Sequence, residues 1–169
     1  MKIAFRTHDL GEKGIDGLIY RLLQYKIEAV QLVVYKFMDG IKQKPGSLSP
    51  EMAEYIGKAL KGAGVSVPLI GAYFNPVHSD KQKVADCKAT FKEYLQYAKV
   101  LGSNIVGSET GSFNDDKWTY NPLNRTEEAL QTVIETFTEL ADYAAEKGAY
   151  IGMEGAAGHC CYCIKQLKR

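Results

Sequence analysis

The sequence predicts an α/β fold, a parallel sheet of about five βα units that forms part of a larger barrel. Three observations point there. Five short apolar runs each end in a polar or glycine-rich segment, and the first four then open into amphipathic helices. Alternation of that kind builds parallel sheets. The fifth run, Tyr150-Ile151-Gly152-Met153, ends in Glu154, and carboxylates at the C-terminal ends of parallel strands are where such folds do chemistry. Strand starts near residues 3, 28, 65, 103 and 149 give a spacing that would fill roughly 250 residues with eight units, the usual length of a (β/α)₈ barrel. The 169 residues therefore read as one domain, 1–169, the first five-eighths of a closed barrel, and as a truncated chain.

Each element has its own local reason. The first strand is Ile3 to Phe5, and the first helix follows on the stripe Ile15, Leu18, Ile19, Leu22 and Leu23. The second strand, Ala29 to Val34, is apolar on nearly every residue, as expected when both sheet faces are covered. The second helix opens at Ser49-Pro50-Glu51, a hydroxyl cap, a proline at the first helical position and an acid in the first turn. Its stripe is Met52, Ile56, Leu60 and Ala63, and Gly64 ends it. The third strand is Val65 to Ile70. The third helix runs from Asp80 to Leu101, with Val84, Cys87, Phe91, Leu95 and Ala98 inward and Gly102 as the stop. The fourth strand is Asn104 to Gly107, followed by a long loop over 111–124, a candidate lid. The fourth helix opens on Asn124 and Glu127 in capping-box spacing and runs to Gly148. The fifth strand is Tyr150 to Met153.

The totals exclude several classes. A net charge of +1 makes no electrostatic case for nucleic acid or an anionic membrane. No apolar run approaches the roughly 18 residues of a membrane span, and the start, Met1-Lys2-Ile3-Ala4-Phe5-Arg6, turns polar too soon for a signal peptide. The expectation is a cytoplasmic protein with reduced cysteines. Phosphate-loop, dinucleotide, zincin and hydrolase-elbow motifs are missing from the sequence.

The chain resembles the sugar phosphate isomerase/epimerase group, the xylose isomerase-like TIM barrels, which also include the type IV AP endonucleases. The resemblance rests on Phe74-Asn75-Pro76-Val77-His78-Ser79-Asp80 and on Ile105-Val106-Gly107-Ser108-Glu109-Thr110-Gly111. It continues in Leu140-Ala141-Asp142-Tyr143-Ala144 and in Ile151-Gly152-Met153-Glu154-Gly155. It implies a metal-dependent sugar or sugar phosphate isomerase or epimerase that transfers a proton at a carbon next to a carbonyl. It also implies one divalent ion (Mn, Mg, Co or Zn) at the top of the barrel. The family's ligands are a Glu ending strand five and an acid, a His and a Glu on strands six to eight. Glu154 matches the first, and the other three have no counterpart here. The expectation is an incomplete metal site and an inactive fragment.

The candidate site residues follow. Glu154 is the expected metal ligand and proton-transfer group, because a charge where an apolar strand emerges is costly unless paired or coordinated. Glu109, at the equivalent end of the fourth strand, is a candidate for orienting a substrate hydroxyl, and His78 after the third strand for contacting one. His8, just past the first strand beside Asp9, is a weaker candidate on the same rim. Trp118, with Tyr73 and Phe74, offers an aromatic wall for a sugar ring. His159, on the loop after the fifth strand, is placed to approach a substrate. The run His159-Cys160-Cys161-Tyr162-Cys163 crowds its ligand types too closely for a structural zinc site, and small buried thiols fit it better. Two alternatives stand beside the isomerase: an AP endonuclease-like phosphodiesterase, which would want several metals and a basic DNA face, and a non-catalytic partial barrel that forms a homo-oligomer through its open edges.

Overall fold

The structure is a computed structural model and describes residues 3–11 and 13–168. Five strands, β1 (Phe5–Arg6), β2 (Ala29–Leu32), β3 (Ser66–Gly71), β4 (Ile105–Glu109) and β5 (Tyr150–Glu154), form one sheet in the order β1-β2-β3-β4-β5. Every neighbouring pair is parallel. Helices α1 (Gly14–Gln24), α3 (Pro50–Gly62), α4 (Lys81–Leu101) and α5 (Glu127–Lys147) occupy the four crossovers; two short helices, α2 (Val34–Phe37) and α6 (Ile164–Leu167), complete the set. This is a partial barrel of parallel βα units. No helix among the described residues is long and apolar enough to cross a membrane.

The core lies between the outer face of the sheet and the helices. Val30, Leu32, Ile70 and Val106 from the strands are wholly buried, as are Leu18, Leu22, Ile56, Phe91, Ala98 and Leu140 from the helices. Phe74, Phe91 and Phe137 pack as a ring triad with centroids 5.8 to 6.3 Å apart, a geometry that adds to their area burial. Tyr94, buried on α4, belongs to this core too, although the expected inward stripe passed it over. Leu23, on the expected stripe of α1, is instead 59% exposed.

Several element ends differ from the sequence reading. The β1 ladder holds only Phe5 and Arg6, because this edge strand has a single neighbour and pairs with it at Val30 and Gln31; Ile3 lies outside it and is exposed. The apolar run through Val34 is not all strand. The chain leaves β2 at Leu32 and coils into α2, whose Val34 and Phe37 are buried, and a short apolar run has no period that separates the two states. β3 runs one residue later than expected, Ser66–Gly71. β4 extends two residues past Gly107, because Ser108 and Glu109 pair with Met153 and Glu154, and β5 accordingly includes Glu154.

The cap of the helix expected at Asn124 is also corrected. Thr126 is the N-cap of α5, its hydroxyl accepting from the Ala129 N–H at 3.2 Å. Asn124 is buried in the preceding 3₁₀ turn, and its side chain bonds the Phe113 N–H and the Gly158 carbonyl. The expected cap of α3 is observed, Ser49 accepting from the Met52 N–H. Asp80, the expected start of the next helix, caps α4 by accepting from the Lys83 N–H, and the expected stops Gly102 and Gly148 close α4 and α5 in the left-handed conformation.

Gly57 is buried where α3 crosses α4, and a Cβ there would fall inside the contact shell of the Val100 carbonyl oxygen. Gly→Ala in a helix interior ordinarily stabilises by about 0.5–1 kcal/mol. Gly57→Ala should reverse that sign and destabilise by about 1–3 kcal/mol, because the helices must separate; urea unfolding measures it. In the same assay Thr126→Ala should cost about 1 kcal/mol, the worth of a cap. Asn124→Ala should cost more, because it strands buried polar partners.

Candidate functional site

The rim is set by register. β4 and β5 pair Ile105 with Tyr150, Gly107 with Gly152 and Glu109 with Glu154. Paired residues of parallel neighbours share a face, so the two carboxylates stand side by side on the inner face at the C-terminal ends of their strands. Below them the inner positions are Gly71, paired with Gly107, and Gly152. A Cβ on Gly107 would come within 3.4 Å of Glu154 Oε1 and 3.0 Å of Leu69. A Cβ on Gly71 would press into the Tyr73 ring. The glycines make the floor on which these side chains lie.

Above that floor is a cavity of about 460 Å³ lined by Arg6, His8, Gln31, Tyr35, Lys36, Gln43, Tyr73, Glu109, Trp118 and Glu154. The structure thus brings together five of the eight residues singled out from the sequence, His8, Tyr73, Glu109, Trp118 and Glu154, whereas Phe74, expected in the same aromatic wall, is buried in the core against Phe91. Glu154 is fixed by Tyr73, whose hydroxyl donates to Glu154 Oε1 at 2.6 Å. The Gln31 amide donates to the same phenol oxygen, and the Gln43 amide to the Tyr73 carbonyl. Burial, and then the bond to Glu154, hold the Tyr73 phenol far above its ordinary pKa, so it stays a donor. Burial, with Cys87 and Glu109 adding to it, likewise pushes Tyr35 up to about 12.

His159 borders the cavity from behind. It is buried, its ring meets Trp118 edge-on at 5.3 Å, and its Nδ1 lies 4.0 Å from Glu109 Oε2 with no hydrogen-bond partner. Its loop is clamped by Arg125, which donates to the His159 carbonyl at 2.6 Å and stacks on Tyr162. His78 stands apart from the cavity. Its Nδ1 accepts from the Asp80 N–H at 3.0 Å, and its Nε2 lies 3.3 Å from Lys83 Nζ and 3.5 Å from Asp116. That ring joins the start of α4 to the 111–124 loop. Cys160 and Cys161 are buried thiols: the Cys160 N–H bonds the Gly111 carbonyl and the Cys161 N–H bonds Thr110 Oγ1. Burial pushes the Cys160 thiol up to about 12.

Sequence reasoning missed Arg6, Gln31, Tyr35, Lys36 and Gln43, and took Tyr73 for a wall only. Gln31 carried a signal, being the one polar residue inside an apolar strand. The loop expected as a lid is tied to the segment after β3 by hydrogen bonds. Asn75 donates to the Ser112 and Asp115 carbonyls at 2.6 and 2.9 Å and accepts from the Ser112 N–H, while Ser79 holds Asp115.

The pattern of the family described as "Xylose isomerase-like TIM barrel" matches residues 19–169. A search of curated proteins finds no match. Among solved structures, a D-tagatose 3-epimerase-like protein superposes with a TM-score of 0.68 at 19% identity, covering 94% of this chain and 55% of that one. A xylose isomerase-like TIM barrel protein from Mycobacterium smegmatis, in complex with magnesium, gives 0.71 at 14% identity, covering 99% of this chain and 59% of that one. A D-allulose 3-epimerase from Methylomonas in complex with D-allulose gives 0.59 at 15% identity, covering 94% and 53%. The chain belongs to the xylose isomerase-like TIM barrel family, and it spans little more than half the length of these structures.

Because Asn75 ties two loops through buried bonds, Asn75→Ala should cost about 2–4 kcal/mol, with several backbone groups left unpaired. It should also red-shift the emission of Trp118, the single tryptophan, as the wall loosens. A blue or unchanged emission with normal stability would show that the wall stands without Asn75.

Proposed function

We propose that this member of the xylose isomerase-like TIM barrel family supplies the first five units, one partial-barrel domain over 1–169, of a sugar isomerase or epimerase. The substrate is a small sugar or sugar phosphate, and the reaction moves a proton at a carbon beside a carbonyl. The observation that carries this reading is the pairing of Glu109 with Glu154 at the rim of one cavity, with Tyr73 bonded to Glu154.

Glu154 is the proton-transfer group. Its Oε1 is taken by the Tyr73 hydroxyl, which fixes the carboxylate plane and leaves Oε2 for the substrate carbon. A general base needs that orientation as much as a suitable basicity. Return of the proton by the same carboxylate to the neighbouring carbon gives the isomer. The epimer needs a proton delivered to the opposite face by a second acid, which further strands of the barrel would supply. Glu109 Oε2 lies 4.0 Å from the buried His159 Nδ1, so the imidazole backs the carboxylate while Glu109 accepts a substrate hydroxyl from the cavity side. Trp118 covers the C–H face of the sugar. His8 closes the far end, and His78 acts as scaffold between α4 and the wall loop.

Metal dependence belongs to the same proposal, supported by the magnesium bound to one matched structure. Among the described residues no group of three His, Cys, Asp or Glu side chains is placed to hold one ion. The residues of this chain alone do not fit a complete divalent site, and no step above passes through one. Glu154 is the ligand the chain would contribute once further strands complete the barrel; Mn, Mg, Co and Zn all suit a carboxylate. We place the protein in the cytoplasm, with no nucleic-acid or membrane partner, on its near-neutral charge. Ile3, Phe5 and Tyr150, exposed at the two edges of the sheet, support self-association of the 169 residues.

In a chain continued to eight units, Glu154→Ala should abolish ketose epimerisation. Glu109→Gln should lower turnover less, within the roughly 10²–10⁴ range of a proton-transfer group. Near-normal turnover of the Glu154 variant would remove that residue from the mechanism. The 169 residues alone should self-associate by light scattering and show no epimerase activity, and a monodisperse monomer that turns over a ketose would overturn the fragment reading.

A further inference from the structure

We infer that the β1–β2 side of the cavity is an anion subsite, formed by Arg6, Lys36 and His8, that seats a phosphate or carboxylate at the end of the substrate remote from Glu154. The inference rests on the preceding reading for what lies at the Glu154 end, but its evidence is separate. The cavity lining is electrically divided: Arg6, His8 and Lys36 come from β1, the turn after it and α2, whereas Glu109 and Glu154 come from β4 and β5. The remaining polar lining, Gln31, Gln43, Tyr35 and Tyr73, is uncharged and comes from β2 and the segments that follow β2 and β3. An anionic group is repelled by the two carboxylates and drawn to the opposite side, so the charge fixes which way a substrate lies.

The cationic side has unused capacity. Arg6 gives its Nε to Asp9 at 2.7 Å, and its two terminal nitrogens make no bond to another described residue. Lys36 is exposed, with no described carboxylate within ion-pair distance of its ammonium. An arginine fork beside a lysine point charge is a donor set suited to phosphate or carboxylate. His8 adds a second kind of observation, since its Nδ1 is buried without a hydrogen-bond partner. Burial first, then Lys36, with Arg6 adding to them against Asp9, hold the imidazole below its ordinary pKa, so all three side chains share one field. An anion between them relieves that field and draws a proton onto His8.

Trp118 lines the same cavity and reports occupancy by fluorescence. The 169-residue chain is titrated with D-ribulose, D-ribulose 5-phosphate, D-gluconate and inorganic phosphate, while the imidazole ¹⁵N resonances of its three histidines are followed by NMR. D-ribulose 5-phosphate should bind at least about tenfold more tightly than D-ribulose, as charge-assisted bonds require, with the preference shrinking in high salt and His8 shifting toward its protonated form. The doubly substituted R6Q/K36Q chain should lose the preference, and Lys147→Gln, on the outer end of α5, should keep it. Matching behaviour of D-gluconate assigns a carboxylate as well as a phosphate to the subsite, and its failure beside a tight phosphate ester restricts the subsite to phosphate. Equal affinity for D-ribulose and its phosphate overturns the subsite and leaves the sugar reading standing. Phosphate binding without D-ribulose binding upholds the subsite and counts against the sugar reading. A preference that survives in R6Q/K36Q, or no binding of any probe, overturns the subsite.

Discussion

The parallel register between β4 and β5 is the constraint on which the rest of the site depends. Five consecutive pairs, from Ile105–Tyr150 to Glu109–Glu154, lock the two strands together. A slip of one residue exchanges the faces of every side chain on a strand. Glu154 would then turn under the helices and Met153 would face the cavity, and a buried unpaired carboxylate is far more costly than a misplaced methionine. On β4, Val106 and Ser108 of the outer face are wholly covered, while Ile105 and Glu109 of the inner face are partly open on either side of the buried Gly107, and that difference between the faces specifies the register. Chemistry at the rim and packing beneath the helices are two consequences of one ladder.

Polar side chains rather than apolar ones hold the rim's loops. Asn75, Ser112 and Asn124 are all buried and mutually connected, and Thr110 exchanges bonds with the backbone of Cys161. Loop backbone carries unpaired N–H and C=O groups that a sheet would satisfy internally. Short amide and hydroxyl side chains are the economical substitutes, since each reaches two or three backbone groups. This explains how a stretch without regular structure over 111–121 can present Trp118 to the cavity. The same loops hold the buried His159 with its Nδ1 4.0 Å from Glu109 and without a hydrogen-bond partner.

Much of this was legible in the sequence, for identifiable reasons. Three of the four long helices, α3, α4 and α5, have side-chain caps, and Gly102 and Gly148 do adopt the left-handed conformation. Glu109 and Glu154 announce themselves as charges ending apolar runs. The ends of β1 and β2 were less legible, because an edge ladder and a buried helical turn leave no periodic trace. The cap at Thr126 was hidden by Asn124, which has the right chemistry three residues before Glu127 but turns its amide toward the loops. Tyr73, Gln31 and Arg6 reach the cavity by tertiary placement across three strands, and neither spacing nor composition encodes that. His78 shows the converse: a motif-like histidine on the right loop whose ring serves the scaffold.

The central claim is that cross-strand contacts prearrange Glu154 through Tyr73. A double-mutant cycle on unfolding free energy, with Tyr73→Phe, Glu154→Gln and the pair, tests it most directly, since contacting residues couple by about 0.5–3 kcal/mol whereas independent sites add. The account predicts a coupling of at least about 1 kcal/mol, as expected for a hydrogen bond to a charged group, with the glutamine variant folding normally. Strict additivity of the two substitutions would contradict it, because Glu154 would then stand at the rim unheld.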